Sequence, residues 1–156
     1  MCSSDLLYRE YGFKLVAGGF DLDRFLRESR IAEIGRFAVV PLQRHNPGIA
    51  VALMKAACTE TVRRGFTHYI TDVFEGEAHS PYRFHTRVMG FKTVATHDVG
   101  ELNCPNRRLT MILDLREAYN RLGTKSARLL RYLTQDWSAD MHARMRAPAV
   151  RPAGIA

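Results

Sequence analysis

Cysteine is scarce in this sequence, and long apolar runs are missing. The three cysteines, Cys2, Cys58 and Cys104, are an odd number without CxxC spacing, a pattern that favours reduced thiols over a disulfide framework. No stretch has the form of a secretory signal peptide, and none is apolar for long enough to span a bilayer. We therefore expect a reduced, cytoplasmic protein with no membrane span.

Spacings typical of a metal site are also missing. Four candidate ligands fall within twenty-six residues, namely His79, His85, His97 and Cys104. None of them shows the C-x2-C or H-x3-H spacing of a structural zinc site. We expect no metal in this protein.

The chain does carry an excess of basic residues. Lysine and arginine number 23 against 16 acids, which gives a net charge of +7 and a pI near 9.7. This charge favours anionic partners, namely nucleic acid, phosphorylated cofactors or acidic proteins; the alternative is a charge that only keeps the protein soluble. Basic residues between 116 and 146 are interleaved with Tyr119 and Tyr132, but no recognised nucleic-acid motif is present. We do not expect a nucleic-acid partner.

Length and composition are those of an ordinary globular protein. The 156 residues are 46% hydrophobic and 25% charged, and a chain of this length suits one domain that buries about two thirds of its unfolded surface. We divide it into an N-terminal segment (1–30), a core (31–122), C-terminal helices (123–143) and a tail (144–156). The tail is rich in alanine and proline, and we expect it to be mobile.

The hydrophobic pattern is clearest in the first half of the core. Residues 31–40 alternate as a strand whose two faces are both largely apolar, so we expect a central strand. Pro47 and Gly48 open a helix of about four turns that ends at "RRG", and residues 66–75 are a second strand. Strand, helix and strand at this spacing predict a crossover between parallel neighbouring strands.

Shorter elements surround this unit. "DLDRFLRES" predicts a helix with Asp21 as its N-cap, and Ser80 and Pro81 begin another short helix that stops at Gly90. "FKTVATHDV" and "RRLTMILDL" predict two further strands, whereas "REAYNRL" and "SARLLRYLTQDW" predict amphipathic helices.

A polar turn lies between the first strand and its helix. The first N–H groups of a helix lack intrahelical partners and attract negative charge. We therefore predict a diphosphate site on the amides from Pro47 to Ala50, with Gln43, Arg44 and His45 closing around it. The alternative is a plain solvent-exposed loop.

These segments resemble the GNAT superfamily of CoA-dependent N-acyltransferases. The resemblance rests on "AEIGRFAV", the helix opened by a glycine, the following strand and "FHTRVMGF". It is strongest to the branch of N-acyl amino acid synthases and N-acyl-homoserine-lactone synthases, where Glu-x-x-Arg-Phe/Leu-x-Val precedes the pyrophosphate-binding helix. Here that strand supplies Glu33, Arg36, Phe37 and Val39. The resemblance implies an α+β or α/β fold, with a mixed central sheet, a βαβ crossover and helices on both faces.

The chain departs from the family pattern at several places. His45 stands where relatives carry glutamine or arginine three residues before the glycine, here Gly48, and His85 stands where relatives often carry tyrosine. Relatives also have a longer region before the Glu-x-x-Arg strand. In relatives that region walls the acceptor pocket, so we expect either a truncated gene or a partner subunit that supplies the missing wall of the pocket. An unfinished sheet edge would favour a homodimer.

The resemblance implies transfer of an acyl group from acyl-CoA or an acyl carrier protein to the amine of a small molecule such as an amino acid. It assigns catalytic roles to Glu33, Arg36 and His85, with Glu33 as a base or amine-orienting group whose pKa burial would raise and His85 as the proton donor to the thiolate. The alternatives are charged partners in the core or at its edge for the first two and packing for His85. The predicted CoA-binding set is Phe37, Val39, Gln43, Arg44, His45, Pro47, Gly48, Ile49 and Ala50. A remnant that binds CoA or a partner without transfer is the alternative function.

Overall fold

The structure is a computed structural model that describes residues 14–16, 18, 20–35, 39–43, 45–77, 80–97 and 105–147. Several residues named above lie outside the described part of the chain, namely Cys2, Arg36, Phe37, Arg44, His79 and Cys104. The predictions that concern them stay predictions.

The described elements are strands and helices in mixed order. The strands are β1 (Lys14–Leu15), β2 (Ile31–Glu33), β3 (His68–Phe74), β4 (Lys92–His97) and β5 (Arg108–Asp114). The α-helices are α1 (Leu22–Glu28), α2 (Pro47–Arg63), α3 (Leu115–Lys125), α4 (Ala127–Thr134) and α5 (Ala139–Arg146), with a 3-10 turn at Pro41–Gln43 and a π-helix at Phe84–Met89. The five strands form one sheet in the order β1-β4-β5-β3-β2. The predicted combination of a sheet with helices is confirmed, and β2 and β3, which flank α2 in sequence, are neighbours in the sheet.

The chain divides into two compact units. Among the described residues, the first unit contains residues up to 27 together with 70–113, and the second contains residues 28–69 and those from 114 onward.

The first unit contains the antiparallel part of the sheet. Strand β1 pairs with β4, where Lys14 lies opposite Thr96, and β4 pairs with β5, where His97 lies opposite Arg108. The register of β4 shifts between residues 93 and 95, as at a β-bulge. Residues 109–113 of β5 are all buried, so both faces of this strand are covered. The buried apolar side chains of β3, β4 and β5 include Val73, Val94, Leu109, Met111 and Leu113.

The short helix of the first unit ends where the sequence predicted but begins slightly later than Pro81: residues 82 and 83 are α-helical and lead into the π-helix Phe84–Met89, whose N-cap is Arg83. The Oγ of Ser80 accepts a hydrogen bond from the N–H of Tyr82 (3.3 Å), and Gly90 ends the helix in the left-handed region at φ +88°. The N–H groups of both Gly90 and Phe91 donate to the carbonyl of His85. The π geometry of Phe84–Met89 was not predicted, because no side-chain period distinguishes it from an α-helix.

Four helices form the core of the second unit. α2 packs against α4, and α3 packs against both α4 and α5. The buried side chains at this junction are apolar and include Met54, Val62, Leu122, Leu133, Met141 and Met145. Gly65, in the left-handed region at φ +76°, follows the end of α2, and the Nη1 of Arg144 donates to the carbonyl of Val62 there (2.9 Å).

Two sequence-based boundaries were wrong. The strand predicted over 31–40 ends at Glu33, and β2 lies at the end of the strand order rather than in its centre. The apolar residues that suggested a second buried face include Val40, which is 64% exposed, and Gly35 offers no side chain to pack. The predicted tail also begins too early, since α5 continues to Arg146 because Met141 and Met145, four residues apart, are both buried.

Candidate anion-binding site

The entrance of α2 is capped by the chain itself. Asn46 is the N-cap, and its side-chain Oδ1 accepts a hydrogen bond from the N–H of Gly48 at 3.0 Å. Pro47 has no N–H, and the N–H of Ile49 donates to the carbonyl of Asn46 at 3.2 Å. The N–H of Asn46 donates to the carbonyl of Gln43 at 3.0 Å. The N–H groups of Gly48 and Ile49 therefore already have acceptors within the chain, and an anion has to displace the Asn46 side chain to reach Gly48.

The same entrance is open to solvent. Gln43, His45, Pro47 and Gly48 are exposed, and Ile49 and Ala50 are half-buried. The described members of the predicted phosphate-binding set are thus contiguous in one surface turn, and Asn46 is the side chain that contacts the leading amides. Gly48 allows close approach because it has no side chain.

The body of α2 is held firmly behind this entrance. The indole Nε1–H of Trp137 donates to the Oγ1 of Thr59 at 3.1 Å. Lys55 forms an ion pair with Asp136 at 2.6 Å, and its Nζ lies 5.3 Å from the ring centroid of Tyr132. These contacts fix α2 against the segment after α3, so the turn at its N-terminus is presented by a supported helix.

The predicted base is not where the prediction required it. Glu33 is the last residue of β2 and is exposed, whereas the prediction had a buried carboxylate that projects from a central strand. The reason is that β2 ends there and lies at the sheet edge. Val39 is half-buried, while Arg36 and Phe37 lie outside the described residues.

His85 is deeply buried in the first unit. It is 1% exposed, and its ring centroid lies 4.9 Å from that of Phe91 and 5.8 Å from that of Phe84. Burial lowers the pKa of His85, so the imidazole is neutral at neutral pH. These edge-to-face contacts are those of a packing residue, the alternative weighed for this position.

Sequence reasoning missed a polar contact at the start of α3. The Oδ1 of Asp114 accepts hydrogen bonds from the N–H groups of Arg116 (2.8 Å) and Glu117 (3.0 Å), and its Oδ2 lies 3.6 Å from the Nε2 of His68. Burial alone would raise the pKa of Asp114, but His68 and the two amides together outweigh it and hold the pKa below its usual value. An aspartate directly before an amphipathic helix is the signal that predicts such a cap.

A second missed cluster lies in the first unit. It consists of polar residues on strands that are otherwise apolar, namely Asp72, His97, Arg108 and Thr110. The signal in the sequence is a charged or hydroxyl residue at alternate positions of predicted buried strands, as in "YITDVF" and "RRLTMILDL".

Among the described residues, no group of three or more His, Cys, Asp or Glu side chains could hold a metal ion. The helices in that part of the chain are too short or too polar for one of them to cross a membrane.

Comparison with known proteins gives a weak structural likeness. No known family matches the chain, and no curated protein matches it. One similar solved structure is a GNAT-family protein from Desulfovibrio desulfuricans to which an acetyltransferase activity has been attributed. The sequences are 16% identical, the TM-score is 0.46, and the match covers 55% of this chain and 52% of the other. The chain thus spans about half the length of that protein.

Proposed function

We propose that this protein is an N-acyltransferase that moves an acyl group from a thioester to the amine of a small molecule. The observation that carries the proposal is the turn that contains residue 43 and residues 45–50, in which residues 43 and 45–48 are exposed; it follows β2 in the chain and opens the 17-residue helix α2. This turn carries the glycine-opened part of the resemblance, and its backbone can receive the diphosphate of CoA. The net charge of +7 favours both CoA and an acidic carrier protein as donors.

The reaction needs little acid–base assistance at neutral pH. The amine nitrogen attacks the thioester carbonyl, the C–S bond breaks, and the proton lost by the amine ends on the departing thiolate or in solvent. An α-amino group has a pKa of about 7.7 to 8.0 and a thiol about 8.5, so positioning supplies most of the acceleration. Exposed Glu33 then serves to orient the amine, a role that an ordinary surface carboxylate can fill.

The test compares two glycine-to-alanine substitutions on helices. A Cβ at Gly48 would lie 3.0 Å from the Oδ1 of Asn46, beside the amide on which the proposal puts the diphosphate. A Cβ at Gly123 of α3 would make ordinary contact with Leu130 at 3.6 Å. We expect Gly48→Ala to weaken CoA binding by about tenfold, or ~1.4 kcal/mol, while Gly123→Ala leaves it unchanged. Calorimetry with CoA measures this, and equal affinities for the two variants would remove the turn from the proposal.

Transfer itself is measured with acyl-CoA and acyl carrier protein as alternative donors. Wild-type protein is incubated with each donor and a panel of amines, and N-acyl products are detected by mass spectrometry. We expect product formation to fall in Glu33→Gln. Glu28→Gln, an exposed acid of α1, is the matched control and should keep full activity.

A remnant that binds CoA without transfer is the second candidate. Two observations favour it, namely the exposure of Glu33 and the burial of His85. Binding of CoA in calorimetry, together with no acylated product from any amine and either donor, would establish this function and refute the transferase.

A further inference from the structure

The turn after α2 brings two arginine side chains together. Arg30 directly precedes β2, Arg144 lies on α5, and both belong to the second unit. A Cβ added to Gly65 would lie 3.1 Å from the Nη1 of Arg30 and 3.7 Å from the Nη1 of Arg144. The two nitrogens are therefore no farther apart than the sum of these distances, 6.8 Å. Two guanidinium charges this close repel each other, and a shared anion would relieve the repulsion.

Arg30 is held in place by its backbone and leaves its charge open. Its N–H donates to the Oγ1 of Thr67 at 3.1 Å, and its carbonyl accepts from the N–H of Thr67 at 2.8 Å. Its Cζ lies 5.5 Å from the ring centroid of Phe66, within the range of a cation–π contact. The residue is exposed, and none of the carboxylates in the described part of the chain forms an ion pair with it. Arg30 is thus a fixed cation that an anion can reach from solvent.

Arg144 is tied to the end of α2 but is only weakly neutralised. Its Nη1 donates to the carbonyl of Val62 at 2.9 Å, and its Nε lies 3.1 Å from the Oδ2 of Asp140. This Nε is buried and has no acceptor in hydrogen-bond geometry among the described residues. The side chain of Asp140 is 77% exposed, and exposed ion pairs four residues apart on a helix contribute little. Because the side chain of Arg144 is itself 36% exposed, an anion can compete with Asp140 for it.

Two more arginines make this end of α2 strongly positive. Arg63 and Arg64 share one carboxylate, that of Glu60. Together with the pair described above and Asp140, four guanidiniums lie near two carboxylates, so two positive charges are not balanced. Gly65 is in the left-handed region at φ +76°, which disfavours any side chain there. The surface between the two Nη1 atoms therefore stays bare.

We propose that Arg30 and Arg144 bind a phosphoryl dianion of a small molecule above Gly65. Hydrogen bonds of about 2.8 Å from the two Nη1 atoms can meet on the oxygens of one phosphoryl group across this gap. A phosphoryl group carries about −1.5 to −2 charges and three acceptor oxygens. These match the two unbalanced charges and the donors that arrive from two different elements. A carboxylate offers one charge and two oxygens, so it should bind more weakly.

This site is separate from the turn proposed for CoA. The two lie at opposite ends of α2, which has 17 residues and, at 1.5 Å per residue, is about 25 Å long. The inference therefore does not depend on acyl transfer. Amide signals of residues 64–66 report the site, whereas those of residues 48–50 report the turn, so NMR distinguishes the failure of one from the failure of the other.

The test is a titration of ¹⁵N-labelled full-length protein at pH 8 and fixed ionic strength. The probes are methyl phosphate and inorganic phosphate, which are mainly dianions at this pH, and dimethyl phosphate and acetate, which carry one charge. We expect saturable shifts at residues 64–66 with both dianions, and affinity at least about tenfold lower for the two monoanions. The tighter of the two dianions identifies whether the site takes a phosphate ester or free phosphate.

Variants locate the site. Arg30→Gln should weaken the binding of methyl phosphate by about tenfold with little effect on stability, because no ion pair within the described residues is lost. Arg144→Gln should weaken binding by a similar factor and also lower stability, since the carbonyl of Val62 loses its donor. Arg128→Gln is the matched control: it removes the same charge from an exposed position of α4 and should bind normally. No saturable shift at residues 64–66, equal affinity for methyl and dimethyl phosphate, undiminished binding in Arg30→Gln, or an equal loss in Arg128→Gln would each overturn the proposal.

Discussion

Replacement of Asn46 by alanine tests whether the Asn46 side chain and a phosphate of CoA compete for the N–H of Gly48 at the entrance of α2. In the ligand-free protein, the side chain of Asn46 accepts the N–H of Gly48 at 3.0 Å. Loss of an N-cap of this kind lowers the free energy of unfolding by about 1 kcal/mol. We therefore expect Asn46→Ala to be less stable than the wild-type protein when no ligand is bound.

The same substitution should strengthen CoA binding. In the wild-type protein, a phosphate oxygen has to break the Asn46–Gly48 hydrogen bond before it can accept from Gly48. In Asn46→Ala the N–H of Gly48 no longer has this side-chain acceptor and can bind the phosphate directly. If the whole cost of about 1 kcal/mol is recovered on binding, the affinity rises by about fivefold, and saturating CoA should bring the stability of the variant level with that of the wild type.

The assay uses the single tryptophan of the chain. Trp137 stacks on Tyr119 and donates to Thr59 of α2, so its fluorescence reports the unfolding of the second unit in urea. Ser138→Ala is the matched control, because Ser138 caps α5 through the N–H of Met141 at 3.3 Å. It should lower stability and leave CoA affinity unchanged. Reduced stability of Asn46→Ala with unchanged or weaker CoA affinity would refute the competition.

Three further predictions concern stability and reactivity. The pKa of Asp114 in the folded protein lies below its usual value. Its ionised form therefore stabilises the fold above about pH 3.9, and this contribution is lost as the pH falls through the lower folded pKa. In urea unfolding, the difference in free energy of unfolding between the wild-type protein and Asp114→Asn should shrink over that acid range. Gly65 has φ +76°, and a Cβ there would lie 3.1 Å from the Nη1 of Arg30. Gly65→Ala should therefore lower the free energy of unfolding in urea by about 1 to 2 kcal/mol. Gly123→Ala should instead raise the free energy of unfolding, by about 1 kcal/mol at most. Burial raises the pKa of Cys58 to about 11 and outweighs the opposite effect of its hydrogen bond with Tyr69. In a Cys2→Ser, Cys104→Ser background, iodoacetamide at pH 8 should therefore label Cys58 only after unfolding. Fast labelling of the folded protein would contradict the burial of this thiol.

Elements with their own end signals were predicted well from the sequence. The α2 helix begins at Pro47 and ends at Arg63, as the proline, the glycine and the "RRG" at its end indicated. Asp21 caps α1 through the N–H of Arg24 at 2.9 Å, as predicted. Local chemistry decides these boundaries, so a single sequence contains the information.

Features that depend on distant parts of the chain were not predictable in this way. The run 31–40 has the composition of a buried strand, but its place at the sheet edge depends on which other strands pair, and Leu42 beyond it is 93% exposed. The Asp72–Arg108 pair joins residues 36 apart in the chain. Sequence analysis missed both charges, and it could not have paired them, because cross-strand partners are set by register.

The two outermost strands of the described sheet are also its shortest. β1 has two residues and β2 has three, so each offers few backbone donors and acceptors to another molecule. Growth of fibrils by strand addition would gain only a few ladder hydrogen bonds at either place. Strand addition at either of these two described edges would therefore leave most of an added strand's backbone groups without a partner in the sheet.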